Sequence, residues 1–309
     1  MAALVHGRPR RWRVLPALLA VLAACNAPSE IPPQAGRAAP GGHADTGASA
    51  TATPPVTAAP PRTEAPPTAS EDPGAATPRP AWLGTRVLPR RPDGYGEVRR
   101  TPPVLRDRRL VTVDHLPPPR SPGFQADVGP VPDDVARRAT WSEDCPVGLA
   151  QLRYVTVTFW GFDERRHTGE LLLHRRVARD VVGVFRQLHR ARFPIEEMRV
   201  VAAPELDAPP TGDGNNTTSF VCRPSRGSTR WSQHAYGLAV DVNPFHNPYI
   251  RGDLVLPELA SAYGNRDRRR PGMVVAGGVV TRAFAAIGWG WGGDWSSLRD
   301  WMHFSADGT

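Results

Sequence analysis

Leu152-Arg153-Tyr154-Val155-Thr156-Val157-Thr158-Phe159-Trp160, followed by Gly161-Phe162-Asp163 and then Glu170-Leu171-Leu172-Leu173, is the stretch from which the fold class is read. The first run is rich in β-branched and aromatic residues, the composition of a strand. Gly161-Phe162-Asp163 supplies the turn, and Glu170 to Leu173 the returning strand. Directly afterwards Val177, Val181, Val184, Phe185 and Leu188 recur at helical spacing, which predicts an amphipathic helix from about Arg175 to Ala191. Met198 to Ala202 gives another strand, and Val279 to Ile287 a short helix. Strands and helices in this order, without regular βαβ repetition, predict an α+β fold with a small antiparallel sheet and flanking helices.

Working outward toward the start of the chain, the compact part begins near Val131, so residues 131–309 are taken as one domain. Residues 82–130 hold short apolar pieces such as Leu110-Val111-Thr112-Val113 ahead of Pro117-Pro118-Pro119, and read as an extended arm packed on that domain. Residues 25–81 are Pro, Ala, Thr, Gly and Ser with almost no large apolar side chain, so they cannot bury a core. Such a stretch acts as an extended tether. Before it, Arg8, Arg10, Arg11 and Arg13 precede an apolar run from Val14 to Ala24, and Leu22-Ala23-Ala24-Cys25 ends in cysteine. This is the pattern of a lipoprotein signal over residues 1–24, with lipid on Cys25. The apolar run falls short of the roughly 20 residues that span a bilayer. An exported protein anchored on the outer side of the membrane is therefore expected, the alternative being an ordinary secretory leader with a chance cysteine.

With Cys25 lipidated, Cys145 and Cys222 remain as an even pair in an oxidising compartment. A disulfide between them is expected, against the alternative of two buried thiols. All 38 basic residues are arginine against 30 acidic ones, a net charge of +8. No basic run is interleaved with aromatics as a single-strand groove requires, so nucleic acid is not an expected partner. An anionic envelope surface remains an attractor for the arginines.

Two short segments carry the chemistry. Ser232-Gln233-His234-Ala235-Tyr236-Gly237-Leu238-Ala239-Val240-Asp241 and Asp300-Trp301-Met302-His303-Phe304 together offer two imidazoles, one ligand carboxylate and one spare carboxylate. A catalytic zinc takes three protein ligands and keeps one position open, whereas a structural zinc is closed by four, usually with cysteines. The chain has no CxxC pair. The run from His234 to Asp241 alternates small and apolar residues and reads as a buried strand, in which Gly237 and Ala239 allow close approach beside His234. Asp300 is the candidate general base. Taken singly, each of these positions has an ordinary reading as core or turn residue; together they point to metal-assisted hydrolysis.

These two segments resemble the signatures of the zinc D-alanyl-D-alanine carboxypeptidases of the VanY type. The resemblance implies a zinc peptidase acting on peptidoglycan stem peptides, in the α+β fold shared with the hedgehog signalling domain. It also implies one zinc ion per chain on His234, Asp241 and His303. Asp300 would stand at the family's catalytic acid, which is glutamate in some members and aspartate in others. Ser232 and Arg223 would orient substrate; an arginine suits the task because a guanidinium grips a terminal carboxylate with two parallel hydrogen bonds. A peptidoglycan endopeptidase, or a wall-binding lipoprotein with a structural zinc, are the alternatives, and a monomer is expected. Thr211-Gly212-Asp213-Gly214-Asn215-Asn216 reads as a loop bordering the cleft. Trp289, Trp291 and Trp295 read either as pocket wall or as core edge. His167, His174 and His246 have no partner spacing and read as ordinary core or surface residues.

Overall fold

The computed structural model describes residues 75–309; the expected leader, Cys25 and nearly all of the tether lie outside the described residues. The elements in chain order are β1 (Ala126–Gly129), α1 (Asp133–Arg138), β2 (Leu152–Trp160), β3 (Arg166–His174), α2 (Ala178–Arg190), β4 (Glu197–Met198), β5 (Asn216–Thr217), β6 (Ala239–Asp241), β7 (Tyr249–Arg251), β8 (Leu254–Leu256), α3 (Val279–Ala285), β9 (Gly290–Trp291), β10 (Arg299–Asp300) and β11 (His303–Ser305). Short 3-10 turns join several of them. This is a mixed α/β architecture with three small antiparallel sheets, ordered β1-β2-β3, β10-β7-β8 and β6-β11-β9, and one parallel pair, β4-β5. The single small sheet expected from sequence is thus three.

β2 and β3 pair in register from Leu152 opposite His174 to Trp160 opposite Arg166. β3 begins at Arg166, four residues before the expected Glu170, because its polar start is held opposite the apolar end of β2; buried His167 faces Phe159. β1 adds to the other edge of β2, so the sheet starts before Val131. α2 lays Val181, Val184, Phe185 and Leu188 on this sheet, all at most 1% exposed. Each such side chain contributes roughly 1.5–3 kcal/mol by leaving water. α2 starts at Ala178 rather than Arg175, since the exposed Arg175 and Arg176 form the turn out of β3.

Two expected strands are shorter than their patterns. Of the run from Met198 to Ala202 only Met198 lies in a strand, together with Glu197 before it; beyond them the Arg199 N–H donates to Asn216 Oδ1 (2.9 Å) and the Val200 N–H to Glu170 Oε1 (3.2 Å), so side chains take the place of a partner strand. The run from His234 to Asp241 is a strand only from Ala239, for reasons that belong to the site.

The arm is bound to the rest by apolar and ionic contacts. Leu88, Leu105 and Leu110 pack with Phe245, Leu259, Tyr263 and Met273. Arg108, 1% exposed, donates from Nε and Nη2 to the two oxygens of Glu196 (2.7 Å each) and from Nη1 to the Asp213 carbonyl (2.7 Å). Glu196 is itself fully buried and also accepts from Asn215 Nδ2 at 2.8 Å. A charge pair this deep is tolerable only because its donors and acceptors are satisfied. Cys145 and Cys222 form a disulfide. Among the described residues, no helix is long and apolar enough to cross a membrane.

Candidate metal centre

The Ser232 side chain opens a 3-10 turn over Gln233–Tyr236 by accepting the His234 N–H at 3.3 Å. Gly237 ends that turn with φ +66°, a left-handed conformation that glycine adopts without a steric penalty. Its carbonyl accepts the His174 N–H at 2.8 Å, and a Cβ on it would lie 2.7 Å from the His174 nitrogen. A cap, a turn and a left-handed glycine thus occupy the first half of the stretch read as strand. Leu238 then leads into β6, which ends at Asp241.

β11 pairs antiparallel with β6 and sets His303 directly opposite Asp241. This register, not sequence proximity, joins the two motifs. His234 Nε2 lies 3.2 Å from Asp241 Oδ1, His303 Nδ1 lies 3.1 Å from the same oxygen, and the two nitrogens are 3.2 Å apart. Donors about 2.0–2.1 Å from a tetrahedral centre sit roughly 3.3–3.4 Å from one another, so this triangle fits zinc coordinated by two imidazoles and a carboxylate. His234 Nδ1 faces the Ser219 carbonyl at 2.5 Å; as the proton-bearing nitrogen it donates there, leaving the Nε2 lone pair toward Asp241 and His303. Both histidines are buried, at 6% and 7% exposure. Among the described residues these three side chains are the cluster of metal-ligating groups.

The electrostatics follow from the crowding. Burial alone would raise the Asp241 carboxyl, but the charges of His234 and His303 and their hydrogen bonds hold it far below the usual carboxylate range. For His303, burial works downward and is outweighed by the hydrogen bond and charge of Asp241, then by Asp300, so the imidazole is raised to about 9. A cation held by this triangle would take the place of that proton.

Asp300 sits in β10, held by pairing with Tyr249 of β7. Burial, and next the negative charge of Asp241, push its carboxyl up to about 7, against the opposing pull of His303 and the Met302 N–H. Its Oδ1 is buried and has no hydrogen-bond partner among the described residues. A carboxyl poised near neutrality beside the triangle suits proton transfer.

Arg223 follows Cys222 of the disulfide. Burial and Arg226 lower its pKa while the Asp241 charge raises it, so the guanidinium lies within the field of the centre; its Nη1 donates to the Pro224 carbonyl at 3.1 Å. Ser232, read from sequence as a substrate residue, is placed as the cap that positions His234. Arg226 was not singled out by the sequence reading: its Cζ lies 5.4 Å from the centre of the Tyr95 ring, which belongs to the arm. No local pattern announces a contact across so many residues.

The three indoles divide. Trp289 is buried against Phe284, Trp291 donates to the Trp301 carbonyl at 3.0 Å, and Trp295 lies 5.5 Å from the His303 ring. Only Trp295 touches a candidate ligand among these contacts. Within the loop 211–216, Asp213 and Asn215 are buried, with Asp213 Oδ2 accepting the Gly84 N–H and Asn215 bonded to Glu196. His246 is buried there too, with Nε2 on the Arg108 carbonyl at 2.9 Å. His167 stands between Asp114 and Asp163, and the His174 side chain accepts the Arg176 N–H, so all three remain in structural roles. A cleft of about 420 Å³ is lined by Gln233 and Tyr236 of the turn but by none of the three donors.

Residues 226–306 match a family model described as D-alanyl-D-alanine carboxypeptidase. That segment contains His234, Asp241, Asp300 and His303, and excludes Arg223 and the arm. No curated protein and no solved structure matches the chain.

Proposed function

We propose that this chain, whose likeness to D-alanyl-D-alanine carboxypeptidases is shown over residues 226–306, is a zinc metallopeptidase that removes the terminal D-alanine from peptidoglycan stem peptides. The observation that carries the reading is the triangle of His234 Nε2, Asp241 Oδ1 and His303 Nδ1, with sides of 3.1–3.2 Å, beside the buried carboxyl of Asp300 whose Oδ1 has no hydrogen-bond partner among the described residues.

His234, Asp241 and His303 would hold the zinc, which when bound supplies Lewis acidity toward a carbonyl and toward water. Asp300, unpaired at Oδ1, accepts the proton of the attacking water and returns it to the departing amine. Arg223 offers the positive charge that a substrate carboxylate requires. The Ser219 carbonyl and the Ser232 cap keep the His234 ring in one orientation, so the site is organised before substrate arrives. In this reading the protein works as a monomer in the cell envelope, tethered through lipid on Cys25.

Mass spectrometry of a pentapeptide stem incubated with the full chain tests the reading. Release of free D-alanine supports it; cleavage between L-Ala and D-Glu would make the enzyme an endopeptidase. Loss of all hydrolysis in a zinc-loaded sample would leave a wall-binding module. The buried Oδ1 of Asp300, without a hydrogen-bond partner among the described residues, favours the enzyme, since a structural zinc has no use for a proton carrier.

A further inference from the structure

Away from the metal centre, the arm and the segment after β8 enclose an open cleft of about 350 Å³ lined by Arg100, Thr101, Arg106, Ser261, Ala262 and Arg268. Its two hydroxyls are engaged in joining arm to core. Thr101 Oγ1 donates to the Leu259 carbonyl (2.6 Å) and Ser261 Oγ to the Arg99 carbonyl (3.2 Å). The free donors of the cleft are therefore guanidinium groups.

The arginines around it differ in occupation. Arg266 turns inward onto the carbonyls of His246 and Tyr263 and onto Asn247 Oδ1. Arg270 and Arg268 share one exposed carboxylate, Asp107, at 2.9 and 3.3 Å. Arg100 and Arg106 have no acidic partner among the described residues, whereas Arg91, Arg99 and Arg108 of the arm each have one. Arg100, Arg106, Arg268 and Arg270 thus stand against a single negative charge. Like charges gathered in a concavity raise the local concentration of anions.

We propose that this cleft binds a phosphate-bearing ligand through Arg100, Arg106 and Arg268. A carboxylate has two oxygens and is satisfied by one guanidinium fork, whereas a phosphate presents oxygens to several forks at once. The cleft offers two forks with no acidic partner, Arg100 and Arg106, and a third, Arg268, that shares Asp107 with Arg270. The ligand would lie across the seam of arm and core, and the assignment is independent of the reaction at the metal centre.

The test is titration calorimetry of the full chain with inorganic phosphate at low salt. It is repeated for R100Q/R106Q and for R179Q, which removes an exposed arginine of α2. One guanidinium–anion hydrogen bond is worth roughly tenfold in affinity, so the double variant should bind at least tenfold more weakly, with R179Q unchanged. Sedimentation with phosphatidylglycerol vesicles, against phosphatidylcholine vesicles as the neutral control, identifies the source. Binding lost in the double variant makes it a lipid headgroup, and inert vesicles beside phosphate binding make it a soluble ester. Equal thermal midpoints confirm folding; should the double variant unfold, the exposed R268Q repeats the measurement. Absence of binding to both phosphate and phosphatidylglycerol vesicles, equal affinity in the cleft variants, or an equal loss in R179Q overturns the proposal.

Discussion

Replacing Gly237 by alanine tests how the fold delivers His234 to the metal centre. With φ at +66°, an added Cβ enters the left-handed region at a cost of about 1–2 kcal/mol. The same Cβ would stand 2.7 Å from the His174 nitrogen, 3.0 Å from Leu152 Cδ2 and 3.1 Å from the Leu173 carbonyl carbon. Two of those three atoms are backbone and cannot rotate away, so overpacking adds roughly 1–3 kcal/mol. Relief requires the chain to move, and the bond from His174 N–H to the Gly237 carbonyl, worth about 0.5–1.5 kcal/mol, is the first to go. The sum is on the order of 3–5 kcal/mol, or about 10 °C in thermal midpoint for a domain of this size. Because the turn carries His234 three residues earlier, zinc content should fall as well. Gly183, inside α2 with open space around its Cβ position, is the contrast; Gly183→Ala should stabilise by about 0.5–1 kcal/mol. Calorimetric unfolding and metal analysis of both variants decide the matter. A Gly237→Ala protein that melts with the parent and holds its full zinc would show that the left-handed backbone at 237 does not place His234.

Asp300→Asn should retain zinc while D-alanine release from a pentapeptide stem falls by roughly 10²–10⁴, read by product assay beside metal content. Arg108→Met should destabilise by about 3–5 kcal/mol, since Glu196 stays buried without its bidentate partner; a denaturant midpoint measures it. His246 gives a pH signature: burial lowers its imidazole from 6.5 to about 4, so the folded protein disfavours the proton that the unfolded chain accepts. Stability is then complete above pH 6.5 and declines on acidification through the window from 6.5 to 4, by on the order of 3 kcal/mol. Urea midpoints across that window should slope in the parent and flatten in His246→Gln.

What the sequence disclosed follows the range of the interactions involved. β2 was legible to the residue because the seven consecutive β-branched and aromatic positions from Tyr154 to Trp160 have no competing period. The start of β3 was not, since Arg166, His167 and Thr168 look like turn residues and become strand only through their register with Trp160, Phe159 and Thr158. The segment from His234 misled in the opposite direction. Its small and apolar alternation is strand-like, but Ser232 caps a turn there and Gly237 takes a left-handed backbone. His234, Asp241, Asp300 and His303 were legible as residue types at telling spacings. The Ser219 carbonyl that orients His234 was not, because a backbone acceptor has no signature in the sequence. Arg108 on Glu196 and Arg226 over Tyr95 likewise depend on long-range packing of the arm, which no local pattern encodes.

Zinc stoichiometry decides whether His234, Asp241 and His303 hold one zinc ion. The measurement compares the purified full chain with Asp241→Ala after incubation with excess zinc and gel filtration. One zinc per chain is expected in the parent and a large loss in the variant, whose two remaining imidazoles lack the oxygen that closes the triangle. A parent that emerges without metal, or a variant that keeps one zinc per chain, would contradict this assignment.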